Sequence, residues 1–372
     1  MTAADESWMR LALELARRGR GRTSPNPMVG AVLVRGQREL GRGWHRGAGL
    51  AHAEIEALRD ATRRGHRPRG STLYVTLEPC STQGRTPPCT VALMAAGIRR
   101  VMVGTTDPNP AHQGRGLRQL RRAGLEVEVV RGPLTEACTQ LNEAFNHWIV
   151  QGTPWVVLKS AMTLDGRIAD AAGRSQWITG SAARSHTHRL RACADAILVG
   201  IHTILADDPA LTVRGCRAGK PLRRIILDSQ ARTPPDAQVV KDAHRSCTTL
   251  VVSARAPKSR VHELSRHARI WTAPIRDGRI DLAWVLRALG AEQVVSLLVE
   301  GGGEVNASFL QQRLVHRVAL FYAPKILGDR NARSAVGGIG ARDWSGVLRL
   351  REVRRRRLGS DLLLTALVDA AP

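Results

Sequence analysis

The 372-residue chain carries 56 Lys and Arg against 32 Asp and Glu, a formal net charge of +24, and is 43% hydrophobic but only 3% aromatic. That hydrophobic content suits a folded protein of two ordinary domains and excludes a disordered chain, and no apolar run reaches the length that spans a bilayer. The charge would suit a nucleic-acid surface, but it is spread over both halves, in pieces such as "RRGHRPRG", "RQLRRAG" and "REVRRRRLG", with few aromatics left for stacking on bases.

The first segment, "MTAADESWMRLALELARRG", starts acidic and lacks the apolar stretch and cleavage site of a signal peptide. It predicts an amphipathic helix and a cytoplasmic location. From Glu6 to about Val130, apolar runs at 28–34, 71–77 and 99–105 predict strands, and 52–65 and 89–97 predict helices ending in glycine. Such alternation implies a layered α/β domain over residues 1–150. The stretch "RGPLTEACTQLNEAFNHWIVQGTP" predicts one connecting helix and a break. A second α/β domain, 151–372, follows from apolar runs at 155–166, 195–200, 223–228, 248–253, 294–300 and 316–324.

Six cysteines are scattered at 80, 89, 138, 193, 216 and 247. In a reducing compartment a close pair points to a metal or to catalysis before a disulfide. Upstream of Cys80 and Cys89 lies His52-Ala-Glu54, and Pro79 precedes Cys80. H-x-E, then P-C, then a second cysteine is the order found in zinc nucleobase deaminases. Imidazole and two thiolates suit zinc and leave a fourth position open for water. A carboxylate beside it can carry the proton to the departing amine. His52, Cys80 and Cys89 are thus the expected Zn²⁺ ligands and Glu54 the acid/base. Positions i and i+2 do not share a helix face, so His52 and Glu54 can serve one metal only beyond the N-terminal end of their helix. Cys80 and Cys89 are likewise expected at helix starts, where the dipole favours thiolate.

Eight residues, "STQGRTPP", separate the cysteines. With "TSPNPMVGAVLV", "GWH", "HAE", "TLEPCSTQGRTPPC", "AAGIRRVMVGTTDPNP" and "GRG", this half resembles the RibD family of bifunctional riboflavin-biosynthesis deaminase/reductases. The resemblance implies a cytidine-deaminase-like three-layer domain. Its implied reaction is hydrolytic deamination of 2,5-diamino-6-(5-phosphoribosylamino)pyrimidin-4-one. Asn26, His45, Asp107 and Asn109 would hold that substrate; by themselves "SPNP" and "DPNP" also read as turns. Gly84 and the two prolines after it would shape the loop, with Arg85 reaching toward substrate.

No G-x-G-x-x-G follows a strand, so ordinary dinucleotide-binding logic does not apply. "VVSLLVEGGGEVNASFL" instead runs from an apolar stretch through three glycines into a helical segment, a tight turn whose helix N-terminus can hold phosphate. "KSAMTLDGRIAD", "GRSQWITG", "LRACADAILVGIHTILADDPALTVR" and "EGGGEVNASFL" resemble the reductase half of the same family, from about 155 to 330. This implies a dihydrofolate-reductase-like fold that uses NADPH to reduce the ribosyl group at C1′ to ribityl. Carried over, Ala161, Trp177, Thr203, Asp207, Ser229 and the loop Gly302, Gly303, Glu304, Val305, Asn306, Ala307 and Ser308 would contact NADPH. Ser175, Arg191, Leu211, Arg214 and Glu300 would contact substrate, the arginines at its phosphate, and Lys159 would stand near the reacting ribose. Met162 stands where a smaller residue is expected beside the cofactor, and the sequence leaves its effect on that pocket open.

The sequence therefore predicts an enzyme of a small phosphoribosylated pyrimidine, with no nucleic-acid or membrane partner and, by resemblance, a homo-oligomer. The rival is a tRNA- or nucleic-acid-editing deaminase with a basic RNA-binding second half. It accounts for the charge but not for the eight-residue insert or "EGGG". A purely structural zinc site would want a fourth protein ligand and leaves Glu54 unexplained.

Overall fold

Thr2 accepts a bond from the Asp5 N–H and Asp5 from the Thr2 N–H, a reciprocal cap that starts α1 (Ala3–Arg17). The Asp5 carboxylate also accepts from the Tyr74 hydroxyl at 2.7 Å and from Arg100 at 3.1 Å, fixing this helix against the sheet. The computed structural model describes residues 1–83, 87–341 and 343–369, so Gly84 and Arg85 lie outside the described residues. It divides into Met1–Gly152 and Thr153–Pro372.

In the first unit the order is β1 (Gly30–Arg35), β2 (Arg38–Trp44), α2 (Ala53–Arg63), β3 (Thr72–Val75), α3 (Cys89–Ala95), β4 (Arg100–Val103), α4 (Arg115–Arg122), β5 (Glu126–Val129), α5 (Pro133–Leu141) and α6 (Glu143–Gln151). The sheet runs β2-β1-β3-β4-β5, antiparallel around β1 and parallel from β3 onward. Successive residues alternate faces. Leu33, Leu73 and Val101 pack with Ala57, Leu93 and Leu120 on one side, while Val32, Tyr74 and Met102 pack with Met9, Leu13 and Cys138 on the other. Two apolar faces covered by helices make three layers. Strands β2 and β5 were not legible as apolar runs; β2, "RELGRGW", is short of hydrophobics because its glycines lie under α2. A Cβ on Gly41 or Gly43 would collide with the backbone at Ala57.

The single connecting helix expected is two. The chain breaks at Asn142 (φ −113°, ψ 25°), a buried residue whose amide side chain accepts from the Met28 N–H at 2.8 Å and donates to the Met28 carbonyl at 2.9 Å. Pairing with the backbone that leads into β1 outweighs continuing the helix.

The second unit contains β6 (Trp155–Thr163), β7 (Arg167–Ala169), α7 (Ser181–Cys193), β8 (Ala196–Gly200), α8 (Ile201–Asp207), β9 (Arg223–Leu227), α9 (Gln238–Lys241), β10 (Thr248–Ser253), α10 (Lys258–Ser265), β11 (Arg269–Ala273), β12 (Ile275–Arg276), β13 (Arg279–Ile280), α11 (Leu282–Ala291), β14 (Ser296–Val299), α12 (Gly303–Gln311), β15 (Arg317–Ala323), β16 (Arg333–Ser334), β17 (Leu350–Leu358) and β18 (Asp361–Val368). Nine strands form one sheet, β11-β10-β9-β8-β14-β6-β15-β18-β17. It is parallel from β11 to β15 and closed by antiparallel β18 and β17. The arginine-rich tail, which carried no strand expectation, supplies both closing strands. In sheets of this kind ligands collect at the carboxyl ends of the parallel strands. Among the described residues no helix is long and apolar enough to cross a membrane.

Candidate active sites

Helix α2 begins at His52, whose extended backbone (φ −72°, ψ 163°) leaves the imidazole ahead of the first turn, while Glu54 sits inside that turn and is 3% exposed. Both therefore face one point beyond the helix end, as the spacing requires. Cys89 is the first residue of α3, after Pro88. Cys80, expected at a helix start, lies instead in the loop after β3. The α3 N-terminus serves it nonetheless: the Cys89 N–H donates to Cys80 Sγ at 3.3 Å and the Thr90 N–H to the Cys80 carbonyl at 3.2 Å.

His52 Nδ1 is 3.3 Å from Cys89 Sγ and 3.5 Å from Cys80 Sγ, and the three donor atoms lie within 4.8 Å of one another. Zinc bonds of about 2.0 Å to nitrogen and 2.3 Å to sulfur at a tetrahedral angle place such atoms about 3.5 Å apart. The donor set fits zinc. Cys80 falls to about 4 because the Cys89 thiol donates to it, with His52 adding to the effect. Cys89 is pushed up by that same bond and by burial. A dication would deprotonate both. Burial, then the charge on Cys80, lifts Glu54 to about 7.

Asn26 and His45 come together beside this cluster. His45 Nδ1 lies 3.1 Å from the Ala51 carbonyl, so it carries the proton and leaves Nε2 to accept from the Asn26 amide at 3.1 Å. Burial lowers the His45 pKa, and its ring stands edge-on to His52 with centroids 5.4 Å apart. Asp107 accepts from the Asn109 N–H at 2.9 Å, and Asn109 from the Ala111 N–H at 3.0 Å, so "DPNP" is also a turn. Burial raises the Asp107 carboxyl. Sequence reasoning passed over Glu78. Buried beside Cys80, it accepts from the N–H groups of Asp107 at 3.1 Å, Gly114 at 2.9 Å and Gly116 at 2.9 Å. It thereby ties the cysteine loop to the Asp107 loop and to the start of α4. Only the "LEPC" context hinted at it.

In the second unit a cavity of about 730 Å³, within the usual range for ligand pockets, opens at the carboxyl ends of β6, β8 and β14. It gathers Lys159, Ala161, Ser175, Trp177, Arg191, Thr203, Asp207, Leu211, Arg214 and Glu300. Ser175 donates to Asp207 at 2.9 Å. Glu300, at the end of β14, accepts two bonds from Arg191 (2.7 and 2.9 Å) and pairs with Lys159 at 3.5 Å. Burial alone would raise its carboxyl, but the two cations overcome this and hold it at about 2. Arg191 also donates to the Thr212 carbonyl at 3.1 Å, so it is committed to Glu300 and the 212 loop, and exposed Arg214 is the freer cation.

Ser229 and Gly302–Ser308 do not line this cavity. Glu304 and Ser308 bond to Arg279, and buried Asn306 donates to the Ala335 carbonyl at 2.8 Å. Gly303 packs so closely on the Ser334 carbonyl that a Cβ would collide. Met162 does not line this cavity. Strand alternation turns it away from Ala161, and it is 5% exposed and absent from the lining.

Residues 2–105 match the cytidine and deoxycytidylate deaminase zinc-binding region, and residues 154–364 match the RibD C-terminal domain. Among curated relatives, the riboflavin biosynthesis protein RibD of Actinobacillus pleuropneumoniae is 40% identical, covering 99% of this chain and 96% of that protein. RibD of Escherichia coli is 39% identical over 97% and 98%. The fold matches solved Acinetobacter baumannii RibD with a TM-score of 0.86, at 34% identity over 99% of both chains. It also matches a diaminohydroxyphosphoribosylaminopyrimidine deaminase/5-amino-6-(5-phosphoribosylamino)uracil reductase from Thermotoga maritima with a TM-score of 0.84, at 34% identity over 98% and 99%.

Proposed function

The chain belongs to the RibD family, and from that premise we propose which of its residues perform the two reactions. It is a bifunctional enzyme of riboflavin biosynthesis, a zinc-dependent pyrimidine deaminase and an NADPH-dependent pyrimidine reductase. Its substrate is the phosphoribosylated diaminopyrimidinone that the resemblance implies.

His52, Cys80 and Cys89 hold the zinc, which when bound makes water acidic near neutral pH. Glu54 takes the proton of the attacking water as oxygen adds to the amine-bearing ring carbon. It returns that proton to the departing amine, the remaining hydroxyl proton passes to the ring nitrogen, and ammonia leaves as the carbonyl forms. A buried carboxyl poised near neutrality suits both steps. Asn26 and His45 orient the pyrimidine edge, and Asp107 and Asn109 complete the wall that Glu78 fixes.

NADPH supplies the hydride of the second step. Ala161, Trp177, Thr203 and Asp207 form its bed. Ser229 and the Gly302–Ser308 turn extend that bed along the strand ends; with Glu304, Asn306 and Ser308 engaged elsewhere, the turn would offer backbone. Ser175, Leu211 and Arg214 hold the substrate, while Glu300 and Arg191 position Lys159 near C1′. The enzyme acts in the cytoplasm as a homo-oligomer without nucleic acid. Ile326, Ile339 and Trp344, exposed by 76%, 92% and 90%, support self-association.

The observation that carries the deaminase reading is the pair of 3.3 and 3.5 Å nitrogen–sulfur separations. Zinc analysis of Cys89→Ser tests it: content should fall well below one ion per chain. An unchanged content would remove Cys89 from the ligand set.

A further inference from the structure

The segment between α8 and β9, residues 208–222, contains no helix or strand, yet it brings Leu211 and Arg214 to the cavity of the second unit. Leu211 is buried at φ 50°, a left-handed conformation that a bulky side chain keeps only where its surroundings hold it. Backbone groups of so irregular a segment must find partners outside it. For residues 210–214, side chains supply them. Arg224 donates to the Ala210 carbonyl at 2.9 Å, and Arg191 donates to the Thr212 carbonyl at 3.1 Å. His188 Nδ1 accepts from the Arg214 N–H at 3.2 Å.

Arg224 is buried outside the cavity lining, whereas Arg191 and His188 both line it and reach the segment from α7, at i+3 and i of one helix face. Arg191 is also committed to Glu300. Among the described residues His188 is the one histidine in the lining, and its bond is the one made to the backbone of Arg214 itself. A bond accepted at Nδ1 leaves the proton of the neutral ring on Nε2. Burial, then the charges of Arg191 and Arg214, lower the His188 pKa, with Glu300 and the Thr212 carbonyl opposing. The lone pair that the Arg214 N–H needs is thereby kept available.

We propose that His188 is a positioning residue of the reduction: by accepting from the Arg214 N–H it fixes the 211–214 segment, and with it the place at which Leu211 and Arg214 meet the deaminated pyrimidine. It acts through that segment and not on the reacting atoms. The proposal rests on the reading of this cavity as the reductase site.

The test follows NADPH oxidation by the full chain on deaminated product. His188→Leu removes the acceptor and strands the Arg214 N–H, so KM for the deaminated product should rise about five- to twentyfold, with kcat kept within about twofold. NADPH affinity, read by calorimetric titration, should not change, which reports that the second unit is folded. His188→Asn places its Oδ1 where Nδ1 stood and should recover a KM within about threefold of wild type. Arg214→Ala should raise KM by itself, and adding His188→Leu to it should raise KM no further. A wild-type KM in His188→Leu, an Asn variant as poor as the Leu variant, or effects that multiply in the double variant overturn the proposal and leave the reductase reading standing. A loss carried by kcat alone also overturns it, because His188 then acts on the reacting atoms. Should His188→Leu bind no NADPH, His188→Gln decides against His188→Asn: its acceptor lies further out, so only the Gln variant should show the raised KM, and equal KM values overturn the proposal. If wild type oxidises no NADPH with the deaminated product, the reading of the cavity falls, and the proposal with it.

Discussion

Glu54 and Glu300 are both buried carboxyls, yet their surroundings drive them in opposite directions. Burial, then the Cys80 charge, lifts Glu54 to about 7, whereas Lys159 and Arg191 overcome burial and hold Glu300 at about 2. The first can exchange a proton in a catalytic cycle, and the second is a fixed anion that orients cations. Glu54→Gln should lower deamination by at least about a hundredfold, while zinc content and reduction of deaminated product persist. Lost zinc in that variant would make Glu54 a ligand, not a proton carrier. For Glu300 the folded value lies below the ordinary 4.5. Its contribution is therefore full above 4.5 and is lost as pH falls toward 2. A shift of this size corresponds to roughly 3 kcal/mol. Glu300→Gln should melt well below wild type at pH 7, and the gap in Tm should narrow as pH drops from 4.5. A gap that stays constant would mean that the carboxylate charge is not what stabilises.

At the scale of elements, His52 and Cys89 of the proposed zinc set are placed by helix ends, and those helices are placed by close packing. Helix α2 rests on β2 because Gly41 and Gly43 bring no Cβ between them. Gly43→Ala should push α2 outward, costing about 1–3 kcal/mol, and should weaken zinc retention by displacing His52. Zinc retained at wild-type affinity in a destabilised variant would uncouple the packing from the site. The same dependence explains what could be read from the chain. His52, Glu54, Cys80 and Cys89 were legible because residue type and local order carry the signal. Glu78 was not, since its partners are backbone N–H groups 29 to 38 residues away. Strand β2 was hidden by the glycines that seat α2. Strand β17, "LREVRRRRL", is almost wholly exposed and offers no apolar pattern. The 302–308 turn was legible as a turn, but its side chains bond to Arg279 and Ala335, partners that local sequence does not reveal.

Across the whole molecule, each unit has its own sheet, core and site, and each site has chemistry that the other lacks. The proposed zinc ligands and Glu54 all fall in Met1–Gly152, and the Glu300 cluster and its cavity in Thr153–Pro372. Part of the large positive charge is spent on local structure. Arg224, 1% exposed, is spent on Asp242, Thr248 and two carbonyls. The central claim is that the chain runs both reactions in order on one phosphoribosylated pyrimidine. It is tested most directly by recording ammonia release and NADPH oxidation together in wild type and Glu54→Gln. Wild type should release ammonia first and then oxidise NADPH with the diaminopyrimidinone. Glu54→Gln should do neither until deaminated product is added, and should then oxidise NADPH at the wild-type rate. NADPH oxidation by Glu54→Gln on the undeaminated compound, or none by wild type on the deaminated one, would contradict the account.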